Sequence, residues 1–354
     1  MLVDAHTHME LFAFWEVPFE EFSNKKELIK YLRSLRKEKL VAYGLDYSLG
    51  LTPEDLNEVP YPVLLIYKDG HKGIGNEALV KEFNLRNPTL KEHELWEVAN
   101  ALKPKGEDMR RALERGLKKA KEMGLREIHD FVDEELARIY SEMELPVSVV
   151  LMPYFEHREA VLKYVSKNLK VGWVKIYVDG SISARTAYLK EPYEDTKTCG
   201  VLLVEEKKLS EMIREVEALG LRVALHAIGD GAIEVCLRAL ERANITRKYH
   251  RIEHAELITE DQMKRAKELE LLLCMQPNFS CYYSETYEKA LGDRARRINP
   301  FDKVYESGID LIFGTDMMPF DVNYAIKCAE KKLPKEVVLR LFGGWKETKD
   351  YVKL

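Results

Sequence analysis

The chain has 354 residues, 46% of them hydrophobic and 32% charged, with 55 Lys and Arg against 60 Asp and Glu for a formal net charge of −5. That balance excludes a strongly basic nucleic-acid surface and a polybasic membrane patch, and it points to a small-molecule substrate as the partner. No run approaches the ~20 apolar residues of a bilayer span, and the start has no charged region followed by an apolar one, so a cytoplasmic protein without nucleic-acid or membrane partners is expected.

The first element is a strand, Leu2 to His6, that runs into Asp4-Ala-His-Thr-His8. Side chains alternate faces along a strand, so His6 and His8 project to one side, roughly 7 Å apart along the backbone. Two imidazoles so placed can grip one metal ion. Residues 10–105 then break the rhythm of the chain: two strand-like runs, Leu40 to Leu45 and Pro62 to Tyr67, sit among the turn signals Pro53, Pro60 and Pro62. Within this stretch Phe12, Phe14, Trp15 and Phe19 either line an apolar substrate pocket or pack the segment itself.

From about residue 107 helical and strand patterns alternate, the signature of βα units around a parallel sheet. Met109, Leu113, Leu117 and Ala120 recur at helical spacing, with Gly124 as the C-terminal cap. Strands follow at Leu125 to Asp130, Val147 to Met152, Val171 to Tyr177, Arg222 to Ala227, His250 to His254, Leu271 to Met275 and Asp310 to Gly314, with a closing helix at Pro334 to Phe342. Ser210 is placed to cap one intervening helix, and Thr259 with Gln262 forms a capping box for another. Counting the opening strand gives eight, which predicts an α/β fold of the (β/α)8 TIM-barrel type: one domain over 1–354, with 10–105 inserted between strands one and two. Removing that insertion, roughly 96 residues, leaves roughly 258, close to the ~250 typical of the barrel.

Strand ends of such a barrel converge on one face, which gathers His6, His8, Lys175, His226, His254 and Asp316. Four imidazoles and a carboxylate suit zinc or another divalent first-row metal. A lysine there is anomalous, because an ammonium cannot ligate. A neutral amine, however, reacts with carbon dioxide to an anionic carbamate, which can bridge two metals about 3.5 to 4 Å apart. A water between them would lose its proton near neutral pH, with Asp316 as general base. Bland readings cover the other polar groups: strand-end hydrogen bonds for Asp4, Asp230 and Glu253, packing for His129, His250 and Cys274, surface for His93 and His157, and for Arg185 either substrate contact or closure of its loop.

Five cysteines, an odd number without a Cys-x-x-Cys, argue against a disulfide framework and a thiolate zinc site and suit a reducing compartment. Interleaved Glu and Lys fit the surface ion-pair networks of thermophilic proteins and equally fit ordinary solvated helix faces.

The segments Asp4-Ala-His-Thr-His8, Asp69-Gly-His71, Lys175-Ile-Tyr-Val-Asp-Gly-Ser181 with Arg185-Thr-Ala187, His226-Ala-Ile-Gly-Asp230, Ile252-Glu-His254, Gln276-Pro277 and Gly314-Thr-Asp316 with Pro319 together resemble the amidohydrolase superfamily, in its YtcJ-like branch that includes N-substituted formamide deformylase. The resemblance implies a metal-dependent hydrolase of amide, formamide or N-acyl amine bonds. It implies one metal on His6, His8 and Asp316, a second on His226 and His254, zinc as the identity of both, carboxylated Lys175 as bridge, and His71 reaching the substrate as a catalytic contact. Members usually carry a β-sandwich from segments before the His-x-His strand and after the barrel. Neither segment is recognised in this chain, so a barrel without that sandwich is expected, its face polar or covered in a homo-oligomer. A deaminase of cyclic substrates, a lactonase or phosphotriesterase on the same site, and a metal-containing barrel acting as a binding or assembly protein are the competing readings.

Overall fold

The computed structural model describes residues 2–68, 70, 72–166 and 169–343. The chain forms two compact units, one from 1–8 with 117–354 and the other from 9–116; the expected insertion, 10–105, falls within the second. Strand β1 spans Leu2–Thr7 in the first unit. The second unit contributes β2 (Leu40–Leu45), β3 (Val63–Tyr67), β4 (Lys72–Gly75) and β5 (Thr89–Lys91). The chain then returns to the first unit with β6 (Leu125–Val132), β7 (Ser148–Pro153), β8 (Leu169–Val171), β9 (Trp173–Tyr177), β10 (Arg222–Ala227), β11 (Arg251–His254), β12 (Leu272–Met275) and β13 (Asp310–Phe313).

In the first unit the strands form two parallel sheets, ordered β1-β6-β7-β8 and β13-β12-β11-β10-β9. Parallel strands bury both faces, and β7, β11 and β12 accordingly carry almost no exposed position. Between the sheets lies a core of Ala5, Phe131, Val150, Met152, Trp173, Ala224, Leu272, Cys274 and Ile312, drawn from strands of both. Backbone contacts between the sheets include a parallel bridge that pairs Tyr154 with Lys175 and the Asp316 amide donating to the His6 carbonyl at 2.9 Å. Gly314 permits the second approach, because a Cβ there would lie 2.6 Å from that of His6.

The helices form where amphipathic runs meet capping signals. The Thr259 and Gln262 capping box opens Glu260–Glu268 as expected. Ser210, by contrast, does not cap: the helix spans Glu206–Ala218 and begins after Glu205, so Ser210 is buried one turn inside it, accepting from Arg214 Nη1 at 3.0 Å. Lys207, Lys208 and Leu209 are good helix formers and extend the helix past the cap-like serine. The expected strand Val171 to Tyr177 is interrupted at Gly172, which separates β8 from β9.

The second unit holds a mixed sheet ordered β2-β3-β4-β5, of which β2 and β3 were legible as strand-like runs. Phe19 packs in one of its apolar clusters with Leu28, Leu45 and Leu65, and Phe14 in another with Val41, Ile66 and Leu95. Phe12 meets Trp15 edge-on at 4.7 Å. Packing of the segment is therefore what these aromatics do within their own unit.

One expectation on the cysteines needs correction. Cys281 and Cys328 are joined as a disulfide, and Cys199, Cys236 and Cys274 are free. The helices Phe279–Tyr282 and Val322–Ala329 carry the paired residues, with Cα atoms 6.2 Å apart, inside disulfide reach. A spacing of 47 residues shows nothing of that proximity in the sequence. Among the described residues no helix is long and apolar enough to cross a membrane.

Candidate metal centre

The polar cluster forms where strands of the two sheets end. His6 is the fifth residue of β1, and His8 lies one residue past the strand's end; their rings stand 5.4 Å apart, on one side as the alternation predicts. Thr7, between them, points the other way and donates to Asp130 Oδ1 at 2.9 Å, pinning β1 to β6. Lys175 comes from the middle of β9, His226 from the end of β10 and His254 from the last position of β11. Asp316 follows β13 by three residues. The His6 ring centroid is 4.8 Å from that of His254, which in turn is 4.4 Å from that of His226.

His254 and Ala255 have φ of 72° and 50°, and Asp316 and Met317 have φ of 54° and 62°. Left-handed backbone is uncommon outside glycine and marks places where surrounding structure over-determines the conformation. Here it turns the chain sharply after β11 and β13, at two of the clustered side chains. Asp4 holds the second of these turns: its carboxylate accepts from the Thr315 amide at 2.8 Å and from the Thr315 hydroxyl at 2.6 Å.

Each of three histidines has one ring nitrogen committed to a neighbour. His6 Nδ1 lies 2.7 Å from Glu253 Oε2, His254 Nδ1 lies 2.7 Å from Gln276 Oε1, and His226 Nε2 lies 3.0 Å from the Gly180 carbonyl. All three partners are acceptors, so these nitrogens carry the proton and the opposite ones carry a lone pair. His6 Nε2 and His8 Nε2 each lie 3.3 Å from Asp316 Oδ1, and the donor atoms of His6, His8 and Asp316 all fall within 4.8 Å of one another. A lone pair facing a carboxylate repels it unless a cation lies between. The donor set therefore fits a divalent cation, with histidines oriented by outer partners as metal-ligating imidazoles commonly are.

Lys175 fits the same picture. Its Nζ is buried with no hydrogen-bond partner among the described residues, over the rings of Phe131 at 4.0 Å and Tyr177 at 4.8 Å. Burial lowers its pKa to about 8, although the carboxylates of Glu253 and Asp316 pull the other way. Burial likewise depresses His226, to about 3, with Lys175 adding repulsion, and it lowers His8 and His254. These imidazoles are neutral, the form that ligates. Asp316 is opposite in sense: burial acts to raise its pKa, but positive charge at the facing His6 and His8 nitrogens holds it well below the usual carboxylate range, and a cation seated there would do the same once those rings are neutral.

The structure thus gathers His6, His8, Lys175, His226, His254 and Asp316, while His71 and Asp69 lie outside the described residues. Arg185 is tied into its own loop, paired with Asp195 and donating to the Ser183 carbonyl. Asp230 starts the helix Asp230–Ala243 and accepts from the Lys190 amide. His250 is buried, accepting from the Val223 amide at Nδ1 with Nε2 near Glu217. His157 is half-buried rather than fully on the surface, and the His93 side chain is not among those described. Glu253 is more than a strand-end carboxylate, since it holds His6 and faces Arg251. The alternation in Arg251-Ile-Glu253 carries that signal, placing both charged side chains on one face of β11.

A parallel α/β scaffold with a buried cluster of imidazoles, an amine and a carboxylate at its strand ends defines a class of proteins fit to hold divalent metal. The chain belongs to the amidohydrolase family, whose model matches residues 2–329. It is 37% identical over 123 residues to the YtcJ protein of Bacillus subtilis (strain 168), named as an amidohydrolase, a match covering 34% of this chain and 23% of that relative. Among solved structures it is similar to a metal-dependent hydrolase from Pyrococcus furiosus, described as uncharacterised, with a TM-score of 0.83 and 27% identity over 96% of this chain and 80% of that one. A second such hydrolase, from Pyrococcus horikoshii OT3, superimposes with a TM-score of 0.80 and 26% identity over 96% of this chain and 76% of that one.

Proposed function

We propose that the protein is a metal-dependent amidohydrolase that cleaves a carbon–nitrogen bond other than a peptide bond, in an amide, formamide or N-acyl amine. The observation that carries the reading is a set of three imidazoles, each committed at one ring nitrogen to an acceptor, beside the Asp316 carboxylate and a buried amine with no hydrogen-bond partner among the described residues. His6, His8 and Asp316 would hold one divalent metal, taken here as zinc, and His226 and His254 would hold a second. Lys175, whose buried amine has its pKa lowered to about 8, would add carbon dioxide at Nζ with release of a proton and so offer an anionic carbamate to the bound metal. The bound metals supply acidity to water and polarise the scissile carbonyl. Asp316, kept anionic by its histidine neighbours, takes the proton from the attacking water and returns it to the leaving amine. Phe131, Tyr154 and Tyr177 stand in sequence beside the cluster, Phe131 against His6 and Tyr177 against His226.

The same reading takes the two parallel sheets as one closed (β/α)8 barrel, in which β9 succeeds β7 and β13 returns to β1; the Tyr154 to Lys175 bridge and the Asp316 to His6 hydrogen bond support that closure. The test is turnover by the zinc-loaded protein across parallel panels of amides, lactones and phosphotriesters. Amide or formamide hydrolysis that falls at least about 100-fold in Asp316→Asn, in keeping with the 10²–10⁴ typical of a general base, is the expected result. Preference for lactones or phosphotriesters would replace the substrate class. No turnover on any panel would favour a binding protein.

A further inference from the structure

We propose that Glu253, clamped by Arg251, is a positioning residue that fixes the tautomer of His6 and so presents Nε2 to the metal; the inference rests on the metal reading above. Both side chains of the His6–Glu253 pair are fully buried, and Oε2 lies 2.7 Å from Nδ1. A carboxylate only accepts, so Nδ1 carries a proton, and in the neutral ring that leaves the lone pair on Nε2. Nε2 has no hydrogen-bond partner among the described residues and faces Asp316. A histidine in water prefers the opposite tautomer. The preference is overridden here by a buried anion, and the anion is itself held in place from the other side.

Arg251 does the holding. Its Nη2 donates to Glu253 Oε2 at 2.9 Å and to the Ala5 carbonyl at 2.8 Å, its Nε lies 2.7 Å from Glu253 Oε1, and its guanidinium stands over Trp173 at 4.7 Å. Its Nη1 lies 3.0 Å from His129 Nδ1. A guanidinium only donates, so His129 accepts there and turns its own N–H toward Glu127 Oε1, 3.4 Å away. One buried arginine therefore sets the direction of every hydrogen bond along Glu127, His129, Arg251, Glu253 and His6. An arginine present only to stabilise the core would need a carboxylate, but not one whose Oε2 it shares with a metal-facing histidine.

The first test needs no variant. Nitrogen-15 shifts of the histidine rings in metal-free protein, with His6 assigned by its loss in His6→Asn, should show His6 protonated at Nδ1; protonation at Nε2 would overturn the proposal. The second is zinc affinity measured by competition with a chelator. Glu253→Gln should bind zinc about 10 to 100-fold more weakly, the usual effect of losing an outer partner of a ligating histidine. Because a lone buried guanidinium can unfold the protein, Arg251→Gln/Glu253→Gln, which removes both charges, is measured beside it. Weakened zinc binding by this double variant at an unchanged melting temperature supports positioning, and wild-type affinity contradicts it. If the wild-type protein itself binds no zinc while His6 is protonated at Nδ1, the metal reading fails and the positioning of His6 stands as a property of the fold alone.

Discussion

Lys175 is the residue whose chemistry departs furthest from the ordinary. An amine with no hydrogen-bond partner is costly to keep charged in a buried site, and it is the neutral form that attacks carbon dioxide. Removing the side chain should remove both the bridge and its adduct: elemental analysis of Lys175→Ala should show fewer metals per chain than wild type, and native mass spectra should lose the added 44 Da of carbon dioxide, about the mass set by that chemistry. Equal metal content and mass behaviour in both proteins would count against carboxylation. Glu256 offers a test to be made on metal-free protein, because the Asp316 charge is among those acting on it. Burial pushes its carboxyl up to about 8, against a hydrogen bond from Tyr287 that lowers it. A carboxyl with a raised folded-state pKa stabilises the fold below its unfolded value and loses that contribution as pH rises toward the folded one. Wild type should therefore lose stability between about pH 4.5 and 8 through this group, and Glu256→Gln should lose less over the same interval in urea unfolding. A variant with the wild-type slope would show that Glu256 is not the titrating group.

Elements were legible where a pattern and a cap agreed. The parallel strands of the first unit carry dense apolar runs, and the Thr259 box is a local signal that the structure uses as written. Replacing that threonine by alanine should cost about 1 kcal/mol in urea unfolding, the usual value of an N-cap, and leave zinc content unchanged, since the box lies outside the ligand cluster. A loss of metal in Thr259→Ala would mean that this helix sets the site. Ser210 shows the limit of such signals: a residue with cap chemistry sits inside a helix when the residues before it also favour helix. Gly172 divides an apolar run that reads as continuous. The short strands β4 and β5 have too few residues, four and three, for alternation to announce them.

At the scale of the whole molecule, the candidate site was legible because strand ends meet in a parallel α/β fold, so that residues 6 and 316 can be neighbours. What joins them was not. The hydrogen bonds from His6 to Glu253, from His254 to Gln276 and from His226 to the Gly180 carbonyl depend on register between strands, and a single sequence carries no register between distant strands. The same holds for the pairing of Cys281 with Cys328, and for Arg251, whose burial among Ala5, Trp173 and His129 contradicts the surface placement usual for arginine. The most direct measurement is anomalous diffraction at the zinc edge from crystals grown with zinc and bicarbonate. The account predicts one peak at about 2.0 to 2.2 Å from donor atoms of His6, His8 and Asp316, a second beside His226 and His254, and carbamate density on Lys175 Nζ. Zinc bound elsewhere, with these six side chains free of metal, would contradict it.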